Sequence, residues 1–422
     1  MRNRKTLSIL ILCLTVLAFL VTSCNQASTP PASDSPPVSQ SPDAPSPSEP
    51  DPIRIAGIFP ISGGSAESGK MVRDGAELAV RHINEAGGIK SLGGAKLELV
   101  VFDATSDPAQ SKSVVERALA DKSIVAATGI GLSALTLPTL PAFEAAKVPC
   151  VGASNAPDLT NQGYSYYFRV TNPGASTGQQ MTAFMEWLNA EKGANIQKVA
   201  LLYENSAQGT SVADGNRARA EALGLDIVFD ESFPTGITDA TSIITALKNS
   251  KPDCLFIYTQ TVEATLMYNT MRNMACDFVI LGNANWPSFG VNLGEASDGV
   301  IAAGNWNFNT KVTQDNPDFT KIWQDFEETY GYFMTEQAGP SYETVRVIAA
   351  GIEAAASRDP VAIRDGIASI NIATTQLPGI LEFNDACENI HGIAQVSQWQ
   401  NGKPVCIFPF EYAGATYMEP KG

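Results

Sequence analysis

The sequence predicts an α/β protein made of two doubly wound parallel-sheet lobes that are joined by a hinge of several strands. Short apolar segments alternate with segments of helical spacing, which is typical of βαβ units and of a mainly parallel sheet. The alternation begins again near residue 174, so two similar units follow one another. With 422 residues, the chain is long enough for two domains of about 100 to 200 residues each.

Composition places the chain among globular proteins and argues against several function classes. The hydrophobic fraction is 44% and the charged fraction is 17%, as in folded domains. The net charge is −16 and basic clusters are lacking, which argues against nucleic acid as a partner because phosphate contacts need clustered Lys and Arg. The chain has two histidines, which argues against a zinc enzyme. We predict no metal ion and no cofactor.

The N-terminus is predicted to be a lipoprotein signal peptide, residues 1–23. Basic residues near the start precede a nearly continuous apolar run that ends in Val21-Thr22-Ser23-Cys24. This ending resembles a bacterial lipobox, so we expect cleavage before Cys24 and lipidation of its thiol. A transmembrane anchor is the alternative, but an apolar run of about 15 residues is short for a hydrocarbon core of roughly 30 Å. The protein is therefore expected outside the cytoplasm, held at a membrane through the lipid.

A linker is predicted over residues 24–52. It is rich in Pro, Ser, Ala and Asp and shows no apolar periodicity. Such a composition cannot bury enough apolar surface to order itself. We therefore expect a tether between the lipidated cysteine and the folded part.

The first unit is predicted from apolar strands and the helices between them. Its strands cover residues 53–59, 97–102, 124–128 and 148–153. Its helices cover residues 69–85, a segment opened by Asp107-Pro108, and an interrupted segment that runs from Ser133 to Lys147. Apolar residues recur at helical spacing in each helix, and glycines or prolines mark the ends.

The second unit repeats this order, and the texture changes after residue 304. Helices are predicted over residues 174–191, 209–223 and 240–248, with strands over 198–203, 226–229, 254–258, 278–281 and 299–303. Beyond residue 304 we predict helices over 317–330, 342–356 and 359–367, a strand over 379–383, and strands over 393–400 and 403–408. The last two strands flank Asn401-Gly402, a strong hairpin signal.

The C-terminal segments are too short to form a domain of their own, so each is expected to complete a lobe. We predict an N-terminal lobe from residues 53–173 plus 305–385 and a C-terminal lobe from 174–304 plus 386–422. The chain would then cross the lobe boundary more than once, which makes the hinge.

Ser133 follows a buried strand and two glycines, at the end of a parallel strand where ligands commonly bind. Its hydroxyl could serve a polar ligand, or it could be an ordinary helix cap. The surrounding Gly131-Leu132-Ser133-Ala134-Leu135 is one residue short of a hydrolase nucleophile motif. A nucleophilic serine needs a histidine base, and neither histidine of the chain lies in a suitable pattern. We therefore predict that the protein is not an enzyme.

A longer set of motifs resembles a known family. These motifs are Ile55-Ala56-Gly57-Ile58-Phe59-Pro60-Ile61-Ser62-Gly63, Gly75-Ala76-Glu77-Leu78-Ala79-Val80, Ile83-Asn84-Glu85-Ala86-Gly87-Gly88-Ile89, and Asp103 with Asp107-Pro108. In this order and span they resemble the branched-chain amino-acid type of periplasmic binding protein, and the resemblance extends more weakly from about residue 53 to about residue 410. It implies a type I two-lobe fold, like a Venus flytrap, that closes on a small solute and delivers it to an ABC permease.

The resemblance also implies a set of binding residues by position. Ser133 would bind a ligand carboxylate, and the Ala153 carbonyl, Ser154 and the Asn155 side chain would lie beside it. For Asn155 a simple turn role before Ala156-Pro157 is the alternative.

The chain departs from the family at several of these positions. Where amino-acid binders tend to carry an aromatic residue, it has Ser68, Gln208 and Gln260, and where they carry an acid for the ammonium it has Ala284. A free α-amino acid is thus less favoured, and an amide, a hydroxylated acid or an aromatic acid is expected to suit a second set of residues.

That second set is formed by the glutamines together with Asn285 and Trp286. Trp286 would offer a stacking face, with packing on the lobe surface as the alternative. Glu67 and Glu263 remain candidate amine acceptors unless they are solvated loop carboxylates.

Seven cysteines occur in the chain, of which five remain in the folded part after export. An exported protein can form disulfides. Cys254 with Cys276, and Cys387 with Cys406, are candidate pairs, because each pair flanks neighbouring predicted strands or a hairpin. The alternative is that all five are small core residues.

The predicted function is capture of a small solute for an ABC importer, and the alternative is a sensory binding lipoprotein that is not coupled to transport. We expect Ser133→Ala to weaken ligand binding by about tenfold or more. We also expect this substitution to leave the melting temperature of the unliganded protein nearly unchanged.

Overall fold

The computed structural model describes residues 49–419 apart from residue 374. The predicted signal peptide, Cys24 and most of the predicted linker lie outside the described residues. In the described part of the chain, no helix is long and apolar enough to cross a membrane.

Five parallel strands form the first sheet, in the order β2-β1-β3-β4-β5. The strands are β1 Ile53–Phe59, β2 Leu97–Asp103, β3 Ile124–Gly129, β4 Cys150–Gly152 and β5 Tyr167–Arg169. The helices of this unit are α1 Ala66–Glu85, α2 Pro108–Ala120, α3 Ser133–Thr136 and α4 Leu140–Ala146. The Asp107 carboxylate accepts a hydrogen bond from the Gln110 amide at 2.8 Å and so caps α2 as predicted.

Seven strands form the second sheet, in the order β14-β13-β10-β9-β8-β6-β7. The strands are β6 Lys198–Glu204, β7 Asp226–Phe233, β8 Cys254–Tyr258, β9 Val279–Gly282, β10 Ile301–Gly304, β13 Gln395–Gln400 and β14 Lys403–Phe408. The helices before β10 are α5 Gly174–Lys192, α6 Ala207–Ala222, α7 Thr241–Ser250, α8 Thr261–Asn273 and α9 Pro287–Leu293. Strands β6 to β10 are parallel, and the terminal hairpin β13–β14 adds antiparallel strands at one edge.

The chain passes between the two sheets three times. It leaves the first sheet after β5 and returns after β10 through α10 Lys311–Asp315 and α11 Pro317–Tyr330 to α12 Ala338–Ala355 and α13 Pro360–Ala368. The last two helices contact β3 of the first sheet. The chain then pairs β11 Asn371–Ile372 with β12 Leu381–Glu382 and returns to the second sheet as β13. The predicted α/β fold with parallel sheets is confirmed, while the exact lobe boundaries stay a prediction.

The structure contains several elements that the periodicity did not predict. Helix α8 places Ala264, Met267 and Met271 in the core at helical spacing, a signal that the sequence offers but that the β-branched residues around it obscure. The strand predicted over residues 379–383 is reduced to two residues, because Gly379 turns the chain at a φ of 87°.

The two disulfides predicted from strand neighbourhood are wrong, because all five described cysteines are free. Cys254 lies in the core on one face of the second sheet, whereas Cys276 packs against the core on the other face. Cys387 lies beside β5 of the first sheet and Cys406 lies inside β14 of the second. The alternative of small core thiols therefore holds for four of them, and Cys276 is half-buried.

Candidate ligand-binding site

A cavity of about 60 Å³ lies where strands of both sheets end. The first sheet contributes Gly129 at the end of β3, Gly131 just beyond it, and Ala153 and Asn155 after β4. The second sheet contributes Tyr258 and Gln260 at the end of β8, Trp286 after β9 and Asn305 after β10. Parallel strands expose their carboxyl ends to the same edge, which places polar loops from both sheets around one space.

The structure brings together part of the predicted site. The predicted residues that line the cavity are Ser68, Ala153, Asn155, Gln208, Gln260 and Trp286. Ser133, Ser154, Ala284 and Asn285 are buried next to the wall and do not line it. Their direct contact with a ligand stays a prediction.

Ser133 has a structural task that the sequence did not reveal. Its Oγ accepts hydrogen bonds from the backbone N–H groups of Asn155 at 3.2 Å and Ala156 at 3.0 Å. The side chain is fully enclosed, so these two amides would have no water to replace the hydroxyl. In place of a nearly unchanged melting temperature, we therefore now expect Ser133→Ala to lower the stability of the unliganded protein, since unpaired buried N–H groups are costly.

The wall around Asn155 is hydrogen-bonded within the protein. The Thr171 hydroxyl lies 2.9 Å from Asn155 Oδ1 and 3.1 Å from the Ala153 carbonyl oxygen. The Ser154 hydroxyl lies 3.1 Å from that of Thr136. Because Thr171 has a single hydroxyl hydrogen to share, Asn155 and Ala153 each keep capacity to accept a bond from a ligand.

The loop after β3 has an unusual backbone. Gly129, Ile130 and Gly131 all have positive φ angles, of 108°, 62° and 74°. Such an angle is rare for a β-branched residue like Ile130 and marks a conformation that the surroundings impose. A Cβ on Gly129 would collide with the Ile58 carbonyl oxygen, so glycine is required where this loop enters the cavity wall.

A hydrogen bond from β13 holds the segment after β9 in place. The Trp399 indole N–H donates to the Ala284 carbonyl oxygen at 2.6 Å, so Ala284 serves the site through its backbone. Trp286 is buried in the apolar core and also lines the cavity, so its packing role is observed while its stacking on a ligand stays a prediction.

Glu336 is a cavity residue that the sequence analysis missed. It lies just before α12, half-buried, and burial raises the pKa of its carboxyl group to about 8, although hydrogen bonds from Asn305, Asn285 and Gln337 lower it in part. The carboxylate rests against Gly304, where any Cβ would collide with Oε2. No periodicity or motif marks this position in the sequence, because the contacts that define it come from β9 and β10.

A second acidic group lies behind the cavity at the end of β6. The Glu204 carboxylate accepts a hydrogen bond from Gln260 Nε2 at 3.2 Å. Burial raises the pKa of Glu204. Burial, together with the carboxylates of Glu204 and Glu336, raises the pKa of Tyr258 well above its usual value.

The two carboxylates considered as amine acceptors lie elsewhere. Glu263 accepts a hydrogen bond from the Gly236 backbone N–H at 2.6 Å and is buried in α8. Glu67 accepts from the Ser288 hydroxyl at 2.9 Å. Neither lines the cavity.

The histidines are engaged away from Ser133. His82 Nδ1 lies 3.0 Å from the Tyr342 hydroxyl, and His391 Nε2 lies 3.5 Å from a Glu382 oxygen. Within residues 49–419, no group of three or more His, Cys, Asp or Glu side chains could hold a metal ion.

Two α/β units with a polar cavity between their strand ends define the class of two-lobe solute-binding proteins. A comparison with protein families matches residues 52–403 to the family described as periplasmic binding protein. The chain belongs to the periplasmic binding protein family. Membership implies a location outside the cytoplasm, and the predicted resemblance to the branched-chain amino-acid type is confirmed.

Individual relatives are similar over most of the chain. The leucine-, isoleucine-, valine-, threonine-, and alanine-binding protein of Pseudomonas aeruginosa is 26% identical over 324 residues, which is 75% of this chain and 82% of that protein. The branched-chain amino acid transporter substrate binding protein LivJ of Streptococcus pneumoniae, solved with isoleucine, has a TM-score of 0.73 at 23% identity and covers 85% of this chain and 100% of its own. An ABC transporter solute binding protein from R. palustris, solved with benzoate, has a TM-score of 0.72 at 16% identity, with coverages of 88% and 98%.

Proposed function

We propose that this chain is an extracytoplasmic receptor that captures a small polar solute in the cavity and presents it to an ABC permease. The observation that carries the proposal is that polar side chains from the strand ends of both sheets line one small cavity. A ligand there would contact both units at once. Ligand binding sites of α/β proteins commonly lie at such an edge.

Closure of the two lobes is the proposed signal to the permease. We infer lobes of residues 53–173 plus 305–385 and 174–304 plus 386–422, hinged at the three crossings. Hydrogen bonds already join the two inferred lobes, among them those from the Ser288 hydroxyl of α9 to Glu67 of α1 and from Lys403 to Glu327. A ligand that binds the closed form better would shift the population toward it.

The solute is proposed to be an amino acid, an amide or an organic acid. The named relatives are an amino-acid-binding protein whose name covers leucine, isoleucine, valine, threonine and alanine, a protein solved with isoleucine and, in the R. palustris case, one solved with benzoate. The proposed contacts are Ala153 and Asn155 on one side, and Gln208, Gln260 and Trp286 on the other. Ser68 would complete the site from the start of α1.

A thermal-shift screen of the purified full-length protein tests this function. Amino acids, amides and aliphatic and aromatic acids are added singly, and the melting temperature is followed. A ligand that binds only the native state raises stability by about 2.7 kcal/mol at one hundred times its dissociation constant. If no compound shifts the melting temperature, and uptake by the host is unchanged when the gene is deleted, the proposal fails.

The anchor is proposed to be a lipid on Cys24, at the end of the lipobox-like segment. Growth of an expressing bacterium with a labelled fatty acid should label the full-length protein. Cys24→Ala should abolish the label and move the protein from the membrane to the soluble fraction. Cys150→Ala, which changes a buried thiol of the folded part, is the matched control and should keep both.

A further inference from the structure

Four side chains next to the cavity present oxygen acceptors without enough donors. They form the acceptor cluster, defined as Glu336, Asn285, Asn305 and Gln337. The amide oxygens of Asn285, Asn305 and Gln337 are buried and have no hydrogen-bond partner within the described part of the chain. Buried polar atoms are nearly always paired in native proteins, so three orphans in one cluster indicate a missing partner.

Two of the three amide nitrogens in the cluster, those of Gln337 and Asn285, already face acceptors. Gln337 Nε2 donates to Glu336 Oε1 at 3.3 Å. Asn285 Nδ2 points to the Ala303 carbonyl oxygen at 3.5 Å and also serves the Glu336 carboxylate. With these nitrogens facing acceptors, the amide oxygens are the atoms left over, and they need hydrogen-bond donors.

The charged groups around the cluster also indicate a ligand that donates hydrogen bonds. Among the described residues that line the cavity there is no Lys, Arg or His. Glu204 lies behind the cavity, and its Oε2 is another buried oxygen without a partner in the structure. The cavity and its surroundings therefore offer carboxyl groups and acceptors, and the described lining residues include no basic side chain to pair with them.

We propose that the acceptor cluster binds a cationic, N–H-rich head group of the solute, a primary ammonium or an amidinium, through the Glu336 carboxylate and the neighbouring amide oxygens. This inference rests on the proposed function and names the class of its ligand. It also corrects the expectation, drawn from Ala284, that the site lacks an acid for an ammonium. A carboxylate reaches the cavity from a different segment of the chain.

When such a head group binds, it replaces the proton that Glu336 carries in the empty site. Burial holds the pKa of Glu336 near 8, so in the empty site near neutral pH the carboxyl group carries a proton. A cationic ligand requires the carboxylate, and the proton is released to water on binding. The titratable groups that face Glu336 are Tyr258 and, beyond it, Glu204. Affinity for a cation is therefore expected to rise by about 100-fold from pH 6 to pH 9.

Matched probe pairs test the proposal with the full-length protein. Acetamidine is compared with acetamide, and alanine with lactate, by isothermal titration calorimetry. In each pair the member that carries a cationic group, the amidinium of acetamidine or the ammonium of alanine, should bind about 10- to 150-fold more tightly at pH 8.5, the range of a charge-assisted hydrogen bond. Acetamidine, which stays protonated, is used for the pH series from 6 to 9.

Two variants distinguish the role of the Glu336 carboxylate from effects on folding. Glu336→Gln keeps the shape, and we expect it to lose the preference for acetamidine and the pH dependence while acetamide binding is unchanged. Gly304→Ala should have the same effect by displacing the carboxylate. Glu263→Gln, a buried carboxylate away from the cavity, is the control and should change neither.

Equal or tighter binding of acetamide and lactate, or an unchanged preference in Glu336→Gln, would overturn the inference and leave the proposed function standing. An organic acid found in the wider screen, with no cationic compound bound, would overturn it in the same way. Failure of every compound in both experiments would remove the proposed function itself.

Discussion

The two sides of the cavity differ in how completely their polar groups are paired. On the Ser133 side, Ser133, Asn155 and Thr171 bond to one another's backbone or side chains. On the Glu336 side, the amide oxygens of Asn285, Asn305 and Gln337 have no partner in the described structure. The difference indicates that the polar groups of the Ser133 side already have partners within the protein, whereas the Glu336 side holds unpaired acceptors that we propose a ligand satisfies.

The largest expected effect on stability is on the Ser133 side of the cavity. Ser133→Ala leaves the backbone N–H groups of Asn155 and Ala156 unpaired in a buried place, each at about 1–3 kcal/mol. Chemical denaturation of the unliganded protein should therefore show a lower free energy of unfolding. Ser113→Ala removes an exposed helical serine and is the control that should change little. A variant as stable as the wild type would show that water reaches these amides.

The next effect concerns the pH dependence of stability on the Glu336 side of the cavity. Since the folded pKa of Glu336 is raised to about 8, the native state keeps a proton that the unfolded state releases above about pH 4.3. The contribution of Glu336 to the free energy of unfolding is thus greatest below that pH and falls as pH rises toward 8, by at most about 1.4 kcal/mol per pH unit, and less because the group is half-buried.

Melting curves of the unliganded protein between pH 5 and pH 8 measure this slope. Glu336→Gln should flatten the decline, and Glu204, whose pKa is also raised by burial, should account for part of what remains. An identical slope in the variant would mean that Glu336 titrates normally.

A smaller effect comes from exchanging one amide on each side. Asn155→Leu removes an acceptor that Thr171 uses and should lower the free energy of unfolding by about 1 kcal/mol. Gln337→Met removes an amide oxygen that has no partner in the described structure together with the 3.3 Å hydrogen bond from Nε2 to Glu336, so it should cost less than Asn155→Leu. Paired urea denaturation curves give the comparison. Equal losses in the two variants would contradict the difference between the sides.

The smallest effect is expected at the Ser288–Glu67 hydrogen bond, one of the contacts that join the inferred lobes. Ser288→Ala removes the half-buried hydrogen bond to Glu67, worth about 1 kcal/mol or less. Small-angle X-ray scattering of the unliganded variant should show a slightly larger radius of gyration, while the saturated protein should be unchanged. A radius equal to that of the wild type would mean that this contact does not hold the lobes together.

Much of the fold could be predicted because its signals are local. Apolar strands such as Ile53–Phe59 and Cys254–Tyr258 alternate with helices, and Asn401-Gly402 marks the terminal hairpin. Helix α8 was missed because its β-branched residues disguise a helical period. The disulfides were mispredicted because sequence spacing does not say on which face of a sheet a cysteine lies.

By itself, the sequence determined that polar loops follow the strand ends, and its resemblance to a known family located Ala153, Asn155, Gln260 and Trp286 at the cavity. Only the tertiary structure decided what each group does there. Ser133 bonds to amides more than twenty positions away, and Glu336 rests on Gly304, so their roles depend on which distant atoms fill the space around them. Hydrogen bonding and burial act over a few ångströms in space, and the order of residues along the chain does not encode those distances.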